Sequence, residues 1–374
     1  MPVMTDDAEK RPRTMEEILG LALKHAASDL HLKAGQPPFL RVNGQIHPAE
    51  GAPLSAAEVL DLAGEILDAR ARKSLEESGS ADFSHTTRGG DRFRINVYHQ
   101  RGLTSLAARR VMRSIGDFEE LHLPAGPLET ICKARQGLVV FSGVTGCGKS
   151  TSIASCLAYI NDQRRCHIVT IEDPIEFLFE DKLAFIDQRE IGSDVPSYSL
   201  ALKYLLREDP DVVMVGELRN KEAVEAALRA AETTRLVFTT VHAASAPGVI
   251  VRLLDWFTPE ERQLVRESLA SNVVGVVCQK LLPCTDPNLP RIPATELLLS
   301  SPAVRKTIRD GDTAHLAAII SAENDQGMHD FTQDLSRLVR EEWVDPKVAY
   351  DMAPNPEALR LAIRGIDMKK GTIR

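Results

Sequence analysis

Eight consecutive residues near the middle of this 374-residue chain have the types and the spacing of a phosphate-binding loop. They match every position of the pattern G-x-x-x-x-G-K-[ST], and they read Gly143-Val144-Thr145-Gly146-Cys147-Gly148-Lys149-Ser150. Glycines let consecutive backbone N–H groups curl around phosphate oxygens, the lysine neutralises the β/γ charge, and the final hydroxyl can ligate Mg²⁺ at a helix N-terminus. The pattern therefore predicts that the chain binds ATP and Mg²⁺.

The residues around this loop argue against the alternative of a flexible glycine turn. An apolar run at 138–141 precedes the loop and a helix-like segment at 150–160 follows it, which is the strand, loop and helix order that the motif requires. Eight residues are the predicted nucleotide contacts: Gly143, Thr145, Gly146, Cys147, Gly148, Lys149, Ser150 and Thr151.

A carboxylate follows a second apolar run, at 212–215. Open α/β sheets bind ligands beside the carboxyl ends of their strands, so Glu217 is the first candidate for positioning or deprotonating the attacking water. Many P-loop ATPases carry an aspartate immediately before this glutamate to hold Mg²⁺ through water. That position is Gly216 here, so another carboxylate must help the metal.

Three further carboxylates, Glu172, Asp173 and Glu176, follow the apolar run at 168–171. Pro174 stiffens the turn between them. Such a cluster suits a Mg²⁺–phosphate site, because like charges are tolerated there when a cation is present. A solvated acidic turn is the alternative, and the phosphate loop elsewhere in the chain disfavours it.

His242 follows the apolar run 236–241 and would contact the γ-phosphate if it lies at the same sheet edge. A lone histidine is more often structural. We favour the phosphate contact because three other strand ends already carry candidate site residues.

Five arginines precede the loop, at positions 92, 94, 101, 109 and 110. A solvated basic face is the ordinary explanation of such residues. The functional alternative is that an arginine supplied across a subunit interface stabilises phosphoryl-transfer charge, an effect of about 10³- to 10⁵-fold.

The elements that must position these residues alternate between apolar runs and helical patterns over 127–290. The strand-like runs lie at 138–141, 168–171, 212–215 and 236–241, and helical patterns occupy 197–207 and 221–231. This order predicts an α/β fold with a mainly parallel sheet and helices on both faces.

Smaller regions flank this predicted ATPase domain. Residues 1–13 form a flexible N-terminus, 14–112 an α+β domain with capping boxes that start at Thr14 and Ser55, and 113–126 a linker. Residues 291–374 are predicted to form a helical C-terminal subdomain, with breaks at Pro346 and Pro354.

Composition places the chain among ordinary globular proteins, with 43% hydrophobic and 26% charged residues. No apolar run is long enough to span a membrane and no export signal is recognisable, so we expect a cytoplasmic location. The six cysteines form no C-x-x-C pair, which favours reduced thiols. The net charge of −8 makes nucleic-acid binding unexpected.

Several segments together resemble the type IV pilus retraction ATPases, a branch of the secretion-type (type II/IV secretion) ATPases. The resemblance covers nearly the whole chain. Its segments are 29–32, 35–38, 41–44 and 92–96 near the N-terminus, and 168–177, 206–211, 215–219 and 231–233 in the ATPase region.

The resemblance implies a PAS-like N-terminal domain, a RecA-like core and a homohexameric ring at the cytoplasmic face of the inner membrane. It also implies an ATP hydrolase that drives pilus retraction through an inner-membrane platform protein. Three site residues take family roles: Glu172 as the Asp-box carboxylate, Glu217 as the Walker B glutamate, both near Mg²⁺, and His242 as the second His-box histidine. By motif position Arg94 and Arg110 are the candidate arginine contacts, and Arg101 is a weaker one.

One departure from the family pattern concerns the first His-box residue. The family usually has Gly-His where this chain has Thr234-Arg235. Arg235 is predicted either to contact phosphate or to pair with Glu232 at the surface. Four other functions remain open: an accessory retraction motor, an extension or type II secretion ATPase, a RecA-like nucleic-acid translocase, and a catalytically weak scaffold that is switched by nucleotide.

Overall fold

The computed structural model describes residues 14–365 except 43, 206, 234, 325 and 326. These residues form two compact units. The first contains residues 14–113 together with 174–178, and the second contains 114–173 and 179–365.

The first unit is a six-stranded antiparallel sheet with three helices. Its helices are α1 (Met15–Lys24), α2 (Ala56–Ile66) and α3 (Ala69–Ser78). Its strands are β1 (Asp29–Lys33), β2 (Phe39–Val42), β3 (Gln45–Pro48), β4 (Ser80–Thr86), β5 (Arg92–Gln100) and β6 (Leu103–Arg110), in the spatial order β3-β2-β1-β6-β5-β4.

Both predicted capping boxes are confirmed. The Thr14 side chain accepts from the Glu17 N–H and the Glu17 side chain accepts from the Thr14 N–H, and Ser55 and Glu58 repeat this exchange at α2. Each box satisfies helix N–H groups that have no partner within the helix. The capped helices α1 and α2 contribute buried side chains to the core of this unit.

The second unit combines seven strands with eleven helices among the described residues. Its strands are β7 (Gly137–Ser142), β8 (His167–Glu172), β9 (Phe185–Glu190), β10 (Val212–Val215), β11 (Leu236–Val241), β12 (Val273–Pro283) and β13 (Arg291–Leu299). Its helices are α4 (Ala125–Lys133), α5 (Lys149–Gln163), α6 (Tyr198–Leu205), α7 (Lys221–Glu232), α8 (Ala246–Leu254), α9 (Arg262–Asn272), α10 (Pro302–Asp310), α11 (Thr313–Ala322), α12 (Phe331–Arg340), α13 (Pro346–Met352) and α14 (Pro356–Ile363).

The sheet of the second unit has the order β13-β12-β7-β11-β10-β8-β9, and every neighbouring pair is parallel except β12 and β13. Successive side chains of a strand point to opposite faces. In β7, Leu138 and Val140 pack with α7, α8 and α9, whereas Val139 and Phe141 pack with α4 and α5. All six residues of β7 are buried, as expected for a central strand covered by helices on both faces.

The parallel register brings the carboxyl ends of four strands to one sheet edge. Ser142 pairs with Val241, and Val215 pairs with Ile171 on one side and Thr239 on the other. The segments that follow β7, β8, β10 and β11 therefore leave the sheet at the same edge, as the sequence predicted.

Two of the predicted segment assignments are wrong at their edges. Residues Arg291–Leu299 were expected in the helical C-terminal subdomain, but they form β13 of the sheet, antiparallel to β12. The linker predicted over 113–126 ends earlier, because α4 begins at Ala125. β12 and β13 are joined by only seven residues, 284–290, and this short connection favours antiparallel pairing.

Candidate functional site

The phosphate-binding loop joins β7 to α5 at the carboxyl edge of the sheet. Gly143 has a φ of +143°, and a Cβ placed on it would lie 2.4 Å from Gln279 O and 2.6 Å from Cys147 Sγ. Gly148 has a φ of +94°, and its Cβ would lie 2.8 Å from Gln279 Nε2. Glycine is required at both positions by the backbone conformation and by the lack of space.

The first turn of α5 follows the loop directly. Gly148 is its N-cap and supplies no side-chain acceptor, so the leading N–H groups of this helix have no side-chain cap. Ser150 and Thr151, in this turn, are half-buried, and Thr145 in the loop is exposed. This combination of N–H groups without a side-chain cap and the helix dipole suits an anion.

The ammonium of Lys149 is held by the loop itself. Its Nζ donates to Gly143 O at 2.9 Å and to Val144 O at 3.0 Å. The predicted phosphate-contacting lysine therefore stays inside the curve of the loop.

Glu217 and His242 meet at the same edge. The Nε2 atom of His242 lies 3.3 Å from Glu217 Oε1, and Nδ1 of the same ring lies 3.1 Å from Gly143 O. A carbonyl and an ionised carboxylate are both acceptors, so both contacts are hydrogen bonds when both ring nitrogens carry protons. Three strand ends, those of β7, β10 and β11, are thereby connected through one imidazole.

Arg219 connects Glu217 to the acidic turn after β8. Its Nε donates to Glu217 Oε2 at 2.7 Å, and its NH1 lies 3.9 Å from Asp173 Oδ2. The hydrogen bond that Arg219 donates to Glu217 is the largest cause that raises the pKa of the Arg219 guanidinium. Sequence reasoning did not single out Arg219, although it lies two residues after Glu217.

Glu172 is buried at the end of β8, with 8% of its surface exposed. Its Oε1 accepts from Thr170 Oγ1 at 2.7 Å and from Gln188 Nε2 at 3.2 Å. Asp173 follows it on the same unit, whereas Glu176 belongs to the segment 174–178 of the first unit. The predicted three-carboxylate cluster is thus divided between the two units.

Hydrogen bonds of Ser142, the last residue of β7, hold the segment that follows β11. Ser142 Oγ lies 3.0 Å from Val241 O and 2.9 Å from Ala243 O, and it accepts from Ala243 N–H at 2.9 Å. These contacts flank His242 on both sides. They fix the backbone that carries the imidazole relative to the start of the phosphate loop.

Known proteins resemble this chain closely enough to show its family. The family described as type II/IV secretion system protein matches residues 108–330. The chain is similar to the type IV pilus retraction ATPase PilT of Pseudomonas aeruginosa, with 37% identity over 341 residues, 91% of this chain and 98% of PilT. It is also similar to the type IV pilus ATPase PilU of that organism, with 34% identity over 349 residues, 93% of this chain and 91% of PilU.

A crystal structure of the pilus retraction motor PilT with bound ADP has the same fold, with a TM-score of 0.85 and 38% identity over 93% of this chain and 99% of that one. The chain belongs to the type II/IV secretion ATPase family. As a member it is an ATP-hydrolysing enzyme with an α/β fold and a nucleotide-binding P-loop core. Within the residues that the structure describes, no helix of this secretion ATPase is both long and apolar enough to cross a bilayer.

The glycine before Glu217 has a structural reason in this secretion ATPase. A Cβ at Gly216 would lie 2.7 Å from Tyr198 Oη and 3.3 Å from Ile171 O. The phenol of Tyr198 thus takes the space that an aspartate side chain would need. Burial raises the pKa of this phenol, and the neighbouring carboxylate of Asp173 raises it further.

Gln279 on β12 supports the phosphate loop of this secretion ATPase, and sequence reasoning missed it. Its side chain is 3% exposed, and Oε1 accepts from Ser152 Oγ of α5 at 2.9 Å. Its backbone oxygen and its amide nitrogen are the atoms that leave no room for side chains at Gly143 and Gly148. In the sequence, only the neighbouring run of apolar residues hinted that this glutamine is buried.

The candidate arginines all lie in the first unit. Arg94 on β5 is exposed, and it pairs in register with Arg109 of β6. Arg109 Nε donates to Asp29 Oδ1 at 2.7 Å, and Arg110 NH2 lies 3.1 Å from Asp91 Oδ1. Arg101 is exposed in the turn between the two strands.

Arg235 is not placed for either of its two predicted contacts, with phosphate or with Glu232, within its own chain. Its NH1 donates to Thr233 O at 2.7 Å and to Thr233 Oγ1 at 3.0 Å, while Glu232 Oε1 accepts from Ser268 Oγ. Arg235 precedes β11, whereas His242 follows it, and six strand residues span about 20 Å. Arg235 therefore lies at the opposite sheet edge from the phosphate loop of its own chain. Thr234 lies outside the described residues.

Proposed function

We propose that this secretion ATPase is a motor that hydrolyses ATP to retract type IV pili. The observation that carries the proposal is the similarity to PilT over nearly the full length of both chains, which includes the first unit as well as the ATPase core. The proposal places the protein in the cytoplasm, peripheral to the inner membrane, where it acts through the platform protein of the pilus machine.

ATP binding is proposed to use the loop and the first turn of α5. The backbone of the loop from Gly143 to Gly148 surrounds the phosphates, and Thr151 contacts them from the helix. Lys149 Nζ exchanges the carbonyl oxygens of Gly143 and Val144 for β- and γ-phosphate oxygens, which are stronger acceptors because they are charged. Lys149 therefore does not need to move far when ATP binds.

The residues fit Mg²⁺ that arrives with the nucleotide. No group of three or more His, Cys, Asp or Glu side chains in the described ranges could hold a metal by itself. Mg²⁺ bound with ATP takes most of its ligands from phosphate and water, so the hydroxyl of Ser150 is sufficient as a direct protein ligand, with Glu172 and Glu217 acting through water. When bound, Mg²⁺ would supply charge neutralisation to the phosphates.

Glu217 is proposed to accept the proton of the attacking water, and His242 to contact the γ-phosphate. Arg219 holds one carboxylate oxygen of Glu217 and His242 the other, so the carboxylate is oriented before ATP arrives. Orientation of the reacting groups is a major source of rate enhancement in phosphoryl transfer.

A homohexamer is proposed because the family resemblance implies a ring in which the first unit covers nucleotide bound by its own or a neighbouring subunit. Arg94 suits a contact with nucleotide better than Arg110, since Arg94 is exposed and Arg110 is already paired with Asp91. Subunits with Lys149→Ala mixed into wild-type protein should depress ATPase activity more than in proportion to their fraction. A strictly proportional loss, or a monomer with full turnover, would contradict the ring.

An accessory retraction ATPase is the second candidate, because the chain is almost as similar to PilU as to PilT. Deletion of the gene in the source bacterium separates the possibilities. We expect surface-piliated cells that no longer twitch, restored by the wild-type gene and not by Lys149→Ala. Normal twitching after deletion supports an accessory role, and cells without pili indicate an extension motor. ATPase activity that rises with added DNA would indicate a nucleic-acid translocase.

A further inference from the structure

A buried carboxylate outside the nucleotide site lies against the N-terminus of α8. Glu296 on β13 is 8% exposed, and its Oε1 accepts from Ala246 N–H, the first residue of α8, at 2.6 Å. The carboxylate thus holds the start of the helix that follows the candidate site.

Burial disfavours the negative charge of Glu296, and neighbouring groups offset part of this effect. Burial raises the pKa of this carboxyl group, and the Ala246 N–H opposes that effect. Asp330 raises the pKa further, whereas the ammonium of Lys280 lowers it. Helix N-termini favour a negative charge, so the Ala246 N–H at the start of α8 stabilises a carboxylate at this position.

The register of the sheet places Glu296 level with the start of the phosphate loop. Glu296 pairs with Cys278 of β12, Cys278 pairs with Ser142 of β7, and Ser142 pairs with Val241 of β11. This row crosses four strands at the edge where the loop begins. The carboxylate is therefore at the correct height to act on the segment that follows β11.

That segment has three residues, 243–245, between His242 and α8, and it is held at both ends. Ser142 Oγ contacts Ala243 at one end, and Glu296 holds the Ala246 N–H at the other. His242 stands immediately before the first contact and bonds to both Glu217 and Gly143. Loss of either end would let the backbone that carries the imidazole shift.

We propose that Glu296 is a positioning residue for ATP hydrolysis, which fixes the start of α8 so that His242 keeps its place between Glu217 and the phosphate loop. The proposal rests on the proposed roles of Glu217 and His242.

Asp334 offers a matched control, because it is a second buried carboxylate that ties α12 to β13. It is 6% exposed, and its Oδ2 accepts from Thr295 N–H at 2.7 Å and from Thr295 Oγ1 at 3.1 Å. Its Oδ1 is paired with Arg337. Its hydrogen bonds run to β13 and within α12, so its removal should loosen α12 and leave the segment after β11 in place.

The test measures kcat, KM, the Kd for ATP and the melting temperature of Glu296→Ala, Glu296→Gln and Asp334→Asn in the full chain. Small displacements of catalytic groups cost about 10²-fold in rate, so we expect kcat of Glu296→Ala to fall by about that factor, with an ATP Kd near wild type. Glu296→Gln should lie between, because its amide oxygen can still accept from Ala246 N–H but carries no negative charge to interact with the start of α8. Asp334→Asn should lose stability and keep kcat.

The same substitutions in a His242→Ala background decide whether Glu296 acts through His242. We expect no further loss of kcat there, because residues that act as a unit are not additive. Full additivity, a wild-type kcat in both Glu296 variants, or an equal kcat loss in Asp334→Asn would overturn the proposal. If Glu296→Ala does not fold, Glu296→Gln carries the same comparison. A wild-type kcat in His242→Ala alone would instead refute the role of His242, and the proposal for Glu296 with it.

Discussion

The imidazole Nε2 of His242 lies 3.3 Å from the carboxylate Oε1 of Glu217. His242 follows β11 and Glu217 follows β10. The imidazole ring also contacts Gly143 at the start of the phosphate loop. The three segments that we propose to cooperate in hydrolysis are therefore in contact through the side chain of His242. Nucleotide binding then adds phosphate to an edge whose polar groups are oriented.

Lys149→Ala and Glu217→Gln should separate binding from hydrolysis. Lys149→Ala should remove nearly all turnover, because the point charge on the β/γ-phosphates is lost. Glu217→Gln should keep ATP bound and slow turnover by about 10²- to 10⁴-fold, the usual contribution of a general base. Single-turnover kinetics and fluorescent-nucleotide titration measure the two effects.

Lys133→Ala serves as the control for the lysine substitution. Lys133 is exposed and paired with Glu129 one turn earlier in α4, so its removal should leave turnover unchanged. Wild-type turnover in Lys149→Ala would refute the assignment of the loop. A Glu217→Gln protein that binds no nucleotide would make Glu217 structural.

Gly216→Ala should destabilise the protein, and Tyr198→Phe should reverse much of the loss. The new Cβ would overlap Tyr198 Oη at 2.7 Å, and overpacking of this kind costs about 1–3 kcal/mol. Removal of the hydroxyl opens the space that the methyl group needs. Melting temperatures of the two single variants and the double variant form the required cycle, and simple addition of the two single effects would contradict the explanation.

Asp29→Asn should weaken the first unit in a pH-dependent way. Burial alone would raise the pKa of Asp29, but hydrogen bonds from Ser28 and Arg109 outweigh it and hold the pKa below the ordinary value. The ionised form is therefore favoured by folding, and its contribution is complete above the unfolded-state pKa of about 3.9 and is lost as pH falls through the lower folded-state pKa.

The cost of Asp29→Asn, about 1–3 kcal/mol for a hydrogen-bonded charged group, should thus be constant between about pH 5 and pH 8 and shrink below about pH 4. Urea unfolding followed by hydrogen exchange in peptides from β1 and β6 measures it. Asp82→Asn is the control, since Asp82 is an exposed carboxylate on β4 of the same sheet. A cost that grows as pH falls would reverse the expected sign.

Arg235→Ala and Arg235→His should both retain ATPase activity within about twofold of wild type, as is usual for substitutions away from a site. The reason is the position of Arg235 before β11, at the sheet edge opposite the phosphate loop of its chain. His242→Ala in the same assay is the positive control. Loss of activity in Arg235→Ala with rescue by Arg235→His would show that Arg235 contacts phosphate after all.

The central strands of the sheet were predictable because parallel strands covered on both faces are continuous apolar runs. β7, β10 and β11 have this character, and all their residues are buried. β9 was missed because it lies at the sheet edge, where its sequence FIDQRE is mostly polar and only partly buried. β13 was misassigned because the prolines around 287–293 resemble a break between domains.

The site residues that lie just after the end of a strand were predictable from the sequence. Glu217 and His242 come directly after β10 and β11, and parallel register brings such positions together without further information. Gln279 and Glu296 could not be found in this way. Their roles arise because β12 returns to the sheet beside β7 and β13 lies beside β12, so that Ser152 meets Gln279 across 127 positions of chain.

That long-range support also has a consequence for synthesis on the ribosome. β7 lies between β11 and β12, and both neighbours are translated long after the phosphate loop itself. While the nascent chain still ends before β12, the loop lacks Gln279, which encloses Gly143 and holds the first turn of α5. We expect a chain that terminates after β11 to carry the complete sequence of the phosphate-binding loop and to bind ATP more weakly, because the support from Gln279 has not yet been made.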